Sequence, residues 1–516
     1  MKMNAMSMKF KYLLITLVCA LPLACGHSSK GTDPVTPVEP DEPEETTSDI
    51  TTYITTADAT QLFTVRTSDF TKAGSMSPNQ VKFAENPSAP EVDGFGLAVT
   101  TASCYNLLRM SKEDRTKFLT DLFSKTEGVG SSLIRVSIGA SDFCLKDEYT
   151  WCDTKGIENF GVPNEDKTYL FPILKEIYAI NPDVKIIGSP WSCPKWMKGG
   201  KYGYAGFDTS VLETSYDSWT SGRLKPSCYK DYATYFVKWI QAMRAEGFNI
   251  YAITMQNEPL NHGNSMSMYM PWQDQRDFIK VLGPAMKEAG LSDVKILLFD
   301  HNYNYDGKSD QKSYPLNIYA DAEASQWAAG SAWHNYGGSV TELDNIVAAA
   351  PDKDIYFTEA SIGTWNYKFD SCLLNDFSSI FLGTLSRGGK GVTLWNLMLD
   401  DKNSPHSPHG GACSTCWGGV TIQSSDYHTV TRNTHWYSVA HASAVVKPGA
   451  RRMTVSNYKA PTGVELQMFK NTDGTIGVLV CNKSSDAQTI VFGAANYTAT
   501  MKIPAKCIAS SIWMDK

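Results

Sequence analysis

The stretch IYAITMQNEPL, residues 250–260, runs apolar from Ile250 to Met255 and then breaks off into Gln256, Asn257, Glu258 and Pro259. A short apolar run bounded by turn residues reads as a buried strand, and proline cannot continue its hydrogen-bond ladder. A carboxylate at the end of such a run is either a solvated strand end or an acid presented on a rim. The rest of the chain decides between them.

The rhythm recurs. Apolar runs at 94–99, 133–138, 184–188, 294–299, 331–334, 355–358 and 391–397 bring the count to eight. Between them lie stretches of helical period, such as 229–246 and 274–289. Strands alternating with helices in this way give an α/β fold, and eight of them predict a (β/α)8 TIM barrel. Past residue 444 the period changes to short alternating segments at 464–469, 476–481, 489–492, 499–503 and 509–514. These predict a C-terminal antiparallel β-sandwich side domain, 444–516. The segment 51–90 contains β-like pieces, including 61–65, and is expected to join that sheet from the other end of the chain. The barrel then takes 91–443.

The N-terminus has its own pattern. Lys2, Lys9 and Lys11 accompany the apolar run 12–23, followed by Ala24-Cys25-Gly26. This has the form of a signal peptide, 1–25, with a cysteine placed for lipidation at Cys25. Residues 26–50, rich in Pro, Glu, Thr and Ser, read as a disordered tether. The expected location is outside the cytoplasm, lipid-anchored to a bacterial outer membrane. A net charge of −7 with no basic face argues against a nucleic-acid partner. A monomer is expected. Ten cysteines remain after Cys19 and Cys25, and Cys144 with Cys152 is the expected local disulfide.

In a barrel of this kind the site stands at the C-terminal ends of the strands. Those ends carry Arg135 and Asp142, Trp191 and Trp196, Asn257 and Glu258, His334 to Tyr336, Glu359, and Trp395 with Asn396. Glu258 and Glu359 follow strands four and seven and can face each other across the barrel. Two carboxylates about 5–5.5 Å apart are what a retaining glycosidase uses. His334 reads as a structural histidine and is left out of the chemistry. His406, His409, Cys413 and Cys416 have zinc-like spacing, but a Cys413–Cys416 disulfide or two free thiols suits an exported loop better. No metal and no cofactor are expected.

GFGLAVTTAS, RVSIGASDF, SPWSCPKWMK, MQNEP, FTEAS and WNLMLD occur in this order, and HWYSVAHASAVVKPGARRM follows from His435. Together they resemble glycoside hydrolase family 30, over roughly residues 90–516. The resemblance implies Glu258 as general acid/base and Glu359 as nucleophile. It implies that Asn257 bonds the sugar 2-hydroxyl, that Arg135 keeps the nucleophile ionised, and that Tyr336 stands near it. Asp142 and Trp191 would bind sugar hydroxyls, with Trp395 as the floor. GGACSTCWG is similar to a stretch in the family's β-1,6-glucanases. The expected activity is therefore endo-β-1,6-glucanase acting on β-glucan. Glucosylceramidase or exo-β-glucosidase is the alternative, and a non-catalytic glycan-binding lipoprotein is the reading from another class.

Overall fold

The computed structural model describes residues 48–74, 78–145 and 147–516. The expected signal peptide, Cys25 and the tether as far as residue 47 lie outside the described residues.

Eight parallel strands close into a barrel: β1 Gly94–Ala98, β2 Leu133–Ser137, β3 Lys185–Ser189, β4 Ile250–Thr254, β5 Lys295–Asn302, β6 Gly330–His334, β7 Asp354–Glu359 and β8 Gly391–Asn396. Each pairs with the next, and β8 closes on β1 through Gly391↔Gly94 and Thr393↔Gly96. The helices Tyr229–Ala245 and Trp272–Glu288 fall where the helical period predicted them.

Side-chain alternation layers the barrel interior. Leu133, Ile187, Ala252, Leu297, Ala332 and Tyr356, one from each of six strands, form an apolar plug. Two residues further along, at the next inward positions, stand Arg135, Ser189, Thr254, His334 and Thr358. All five are fully buried. Apolar packing thus gives way to polar chemistry within one layer. At the opposite end Asp93 accepts from Lys185 at 2.5 Å, Tyr356 at 2.6 Å and Tyr251 at 2.8 Å, and closes the barrel bottom with a satisfied charge.

Irregular pairings in the strands aim the residues that matter. Opposite β6, strand β5 carries one extra residue between Phe299 and His301, which is Asp300. Phe299 and Asp300 both have φ of 71°. Strand β7 carries an extra Thr358 before Glu359, and β8 an extra Trp395 before Asn396. A bulge of this kind re-aims the side chains beside it.

The side domain stacks a six-stranded sheet on a five-stranded one. Strand Ile50–Thr56 pairs antiparallel with Cys507–Met514 along its whole length, from Ile50↔Trp513 to Thr56↔Cys507. The two ends of the described chain therefore share one sheet. Ile54, Met468, Val478, Phe492 and Trp513 fill the sandwich core. The strand expected at 61–65 lies slightly later, at Thr64–Ser68, because Phe63 turns the chain with φ of 54°. Helix Thr434–Val445 crosses the expected boundary at 443/444 and is buried on every side. Its His441 lies between Thr55 Oγ1 at 2.9 Å and Ser510 Oγ at 2.8 Å, and burial lowers its pKa to about 3.

The expected Cys144–Cys152 disulfide is absent, and both thiols are free and buried. Cys152 Sγ turns to the Gly156 carbonyl at 3.2 Å, whereas Cys144 packs in the cluster with Trp191 and Trp395.

Candidate active site

Strand β4 ends where neighbouring strands take over its backbone bonds. Asn257 N–H donates to the Pro190 carbonyl at 2.8 Å and Glu258 N–H to the Asp300 carbonyl at 3.0 Å. Glu258 has a left-handed φ of 45°, which costs on the order of 1–3 kcal/mol and persists only where its surroundings hold it. The turn swings the carboxylate back over the barrel mouth, toward the end of β7. Glu258, His334 and Glu359 each place one polar atom within 4.8 Å of the others.

Arg135 is the hub beneath the pair. It is fully buried. It donates to Glu359 Oε2 at 2.6 Å, to Asn257 Oδ1 at 2.7 Å and to Asp300 Oδ2 at 2.8 Å. Its guanidinium lies 4.9 Å from the ring centre of Trp191 and 5.6 Å from that of Trp395. Those two rings stack at 5.1 Å with 25° between their planes. Tyr336 donates its hydroxyl to Glu359 Oε1 at 3.0 Å. Asp142, Glu258, Glu359, Tyr336 and Trp395 line one pocket of about 320 Å³. The structure thus gathers all eight residues singled out in the sequence around one point.

Three residues belong to this cluster that the sequence reading left out of the chemistry. Asp300 accepts from Thr358 Oγ1 at 2.6 Å, Ser189 Oγ and Thr254 Oγ1 at 2.7 Å, and Arg135. His334, read as structural, lies between Asp300 Oδ1 (3.0 Å from Nε2) and Glu258 Oε1 (3.3 Å from Nδ1). His301 Nε2 stands 3.9 Å from Glu258 Oε1 and 3.2 Å from Asp306. Reading the end of strand five by the rule used for the other strands would have flagged Asp300 and His301.

The buried charges of the site set one another's protonation. Burial alone would raise Glu258, but His301 and His334 outweigh it and hold its carboxyl down to about 2. Burial opposes a charge on His334, yet Glu359, Asp300 and Glu258 overcome it and lift the imidazole to about 9. Burial is the leading influence on Glu359 and leaves it raised, despite His334 and Arg135. Asp142 is pushed well above the carboxylate range by burial, then by Glu359 and Glu258. The Asp300 carboxyl is held far below it, because Arg135 and His334 defeat the cost of burial. The same contact thus pushes Glu258 toward its charged form and His334 toward the imidazolium.

Cys413 and Cys416 are joined in a disulfide, which removes two of the four donors of the zinc-like motif. His409 instead pairs with Glu148 at 2.9 Å, and His406 turns to the Ser407 carbonyl at 3.0 Å. A larger hollow of about 470 Å³, lined by Met110, Phe118, His428 and Arg432, lies away from the carboxylates. Its polar groups already pair, His428 with Asp114 and Arg432 with Asp121.

A closed (β/α)8 barrel holding two buried carboxylates this close at its C-terminal face has the architecture of a glycoside hydrolase. Residues 92–446 match the glycosyl hydrolase family 30 TIM-barrel domain and residues 449–511 its beta sandwich domain. The chain belongs to glycoside hydrolase family 30. It is 32% identical to endo-1,6-beta-D-glucanase BGN16.3 of Trichoderma harzianum, over 76% of this chain and 77% of that one. It is 26% identical to the lysosomal acid glucosylceramidase of Mus musculus, over 77% and 76%. Among solved structures, the endo-beta1,6-glucanase BT3312 superposes with a TM-score of 0.85 at 49% identity, covering 91% of this chain and 100% of that chain.

Proposed function

We propose that this chain is an endo-β-1,6-glucanase that cuts β-1,6-linked glucan with retention of anomeric configuration. The observation that carries the substrate is the 49% identity to an endo-beta1,6-glucanase across 91% of the chain. The close approach of the two carboxylates supports retention, because an inverting pair stands about 6.5–9.5 Å apart with a water between.

The first step forms a bond from Glu359 to the anomeric carbon while the glycosidic bond breaks and the leaving oxygen gains a proton from Glu258. The second step reverses these roles. Glu258 takes a proton from water, the water oxygen bonds to the anomeric carbon, and Glu359 leaves as a carboxylate. His334, 3.3 Å from Glu258 Oε1, relays a proton to it. As Glu359 becomes a neutral ester, the negative charge that lifts His334 is lost. The imidazolium then releases its proton more readily toward Glu258. Arg135 and the Tyr336 hydroxyl hold Glu359 in line. Asn257, whose carbonyl oxygen is taken by Arg135, offers its amide group to the sugar 2-hydroxyl. Asp142 and Trp191 meet the other hydroxyls, and the Trp395 ring floors the sugar.

The test is product analysis on linear β-1,6-glucan, with glucosylceramide and β-1,4-xylan alongside. A ladder of oligosaccharides from the first substrate alone is expected, with the β-anomer appearing first by proton NMR. Glucose from glucosylceramide with the glucan untouched would overturn the substrate.

The N-terminal sequence supports export and anchoring through a lipid on Cys25, with the segment between it and strand Ile50–Thr56 as a tether. Labelled palmitate should enter the wild-type chain in cells and should not enter Cys25→Ala. Equal labelling of both would overturn the anchor.

A further inference from the structure

The pocket above the glutamates has two walls. In the closed barrel β7, β8, β1 and β2 are successive neighbours, and β4 and β5 lie across from them. The loop after β4 and the end of β5 bring Glu258, Asn261, His301 and Asn302 to one wall. The loops after β2, β7 and β8 bring Asp142, Ser361, Trp365 and the Cys413–Cys416 disulfide to the other. Trp365 is 53% exposed, although indoles this large are normally well covered.

Its position is built. Strand Ile362–Gly363, directly after β7, pairs antiparallel with Cys416–Trp417, and Thr364 N–H donates to the Thr415 carbonyl at 3.0 Å. The disulfide closes the turn that supplies Cys416 and Thr415. The six-membered part of the Trp365 indole lies against the backbone of Gly363, where a side-chain carbon at residue 363 would collide with it. Part of the indole is thus seated on a bare backbone and the rest is open in the pocket.

Glu258 must reach the leaving oxygen, so the departing sugar lies along the wall that carries Glu258. The opposite wall serves the sugar that stays. We infer that the open face of Trp365 is the stacking platform for the retained glucosyl unit next to the one held between the glutamates, and that the disulfide-closed turn fixes this platform. Its occupant, a glucosyl unit joined through O6, rests on the β-1,6-glucanase reading. A pyranose offers a flat face of C–H groups to an indole, which is the contact an exposed, backbone-seated tryptophan is shaped to make.

The test compares 4-nitrophenyl β-gentiobioside with 4-nitrophenyl β-glucoside. Both release 4-nitrophenol, but only the first has a second retained sugar. The wild type should prefer the gentiobioside. Trp365→Ala should lower kcat/KM on it by roughly 10–100-fold and erase most of the preference. Trp365→Phe should keep most of it, and circular dichroism should show both variants folded. A preference ratio in Trp365→Ala within about two-fold of the wild type would overturn the platform. So would an equal loss on both substrates, since Trp365 would then be supporting the glutamates. If the wild type prefers the laminaribioside or cellobioside, the β-1,6 reading falls and the same ratio on the preferred diglucoside judges the platform. No preference for any diglucoside overturns it.

Discussion

His334 Nδ1 lies 3.3 Å from Glu258 Oε1, so the general acid proposed here shares its proton with a neighbour. His334 is lifted to about 9 and Glu258 is held near 2. The pair loses its proton only at high pH, and that loss sets the basic limb of kcat/KM. In His334→Asn the proton has only the buried carboxyl to sit on. The basic limb should then move down by at least about one pH unit, with a lower rate at the optimum. A pH profile of both proteins measures this. An unmoved limb would show that His334 has no part in the proton balance.

Glu359→Gln should reduce turnover by at least about 10⁴-fold while leaving oligosaccharide binding intact. Glu258→Gln should cost about 10²–10⁴-fold on glucan and far less on aryl glycosides, whose leaving group needs little protonation. Steady-state rates on both substrates, with calorimetric binding for Glu359→Gln, test the assignment. Equal losses for Glu258→Gln on both substrates would count against its role as the acid.

Arg135→Met should be both inactive and unstable. It strips Asp300 and Glu359 of their buried guanidinium partner, and stripping one partner from a buried ion pair costs about 3–5 kcal/mol. Arg135→Lys should recover only part, because one ammonium cannot span Glu359, Asn257 and Asp300 as the guanidinium fork does. The urea midpoint, compared at constant slope, reads this.

Asp166 gives a stability prediction away from the site. It is buried under the Tyr149 hydroxyl at 2.7 Å and Trp151 Nε1 at 2.5 Å, and burial raises it to about 7 from 3.8. The folded pKa lies above the unfolded one, so between pH 4 and 7 the native state binds a proton that the unfolded chain has released. Its contribution to stability is fully present below the unfolded value and is lost as pH rises toward 7, at up to about 1.4 kcal/mol per pH unit. Asp166→Asn should remove that slope. Urea unfolding at pH 4.5 and pH 7 should show the variant gaining on the wild type at the higher pH.

The strands were legible because burial on both faces of a parallel sheet writes a run of Val, Ile, Leu and Ala that survives without context. β2, β3, β4 and β8 fall within a residue or two of where those runs placed them, as do the sandwich strands Val464–Lys470 and Thr475–Asn482. The glutamates were legible because a charge ending a buried run is an anomaly. Asp300 was not. It occupies the extra position in β5, and a bulge inverts the alternation by which an inward residue is recognised. His334 was visible at its strand end, but its partners were not, because Asp300, Glu258 and Glu359 come from three other segments. Trp365 lies outside any strand run, and only the Gly363–Cys416 pairing shows that it is held in place.

The sequence by itself determined the barrel, the sandwich and the two carboxylates, because hydrophobic period and strand-end chemistry are local and each residue carries its own share of them. The tertiary structure decided which histidines adjoin Glu258, which acid pairs with the buried arginine and which tryptophan stands exposed in the pocket. Those are properties of distance and burial between groups far apart in the chain. At 3 Å in a buried site, the energy of a neighbouring charge outweighs what any one residue type would do alone.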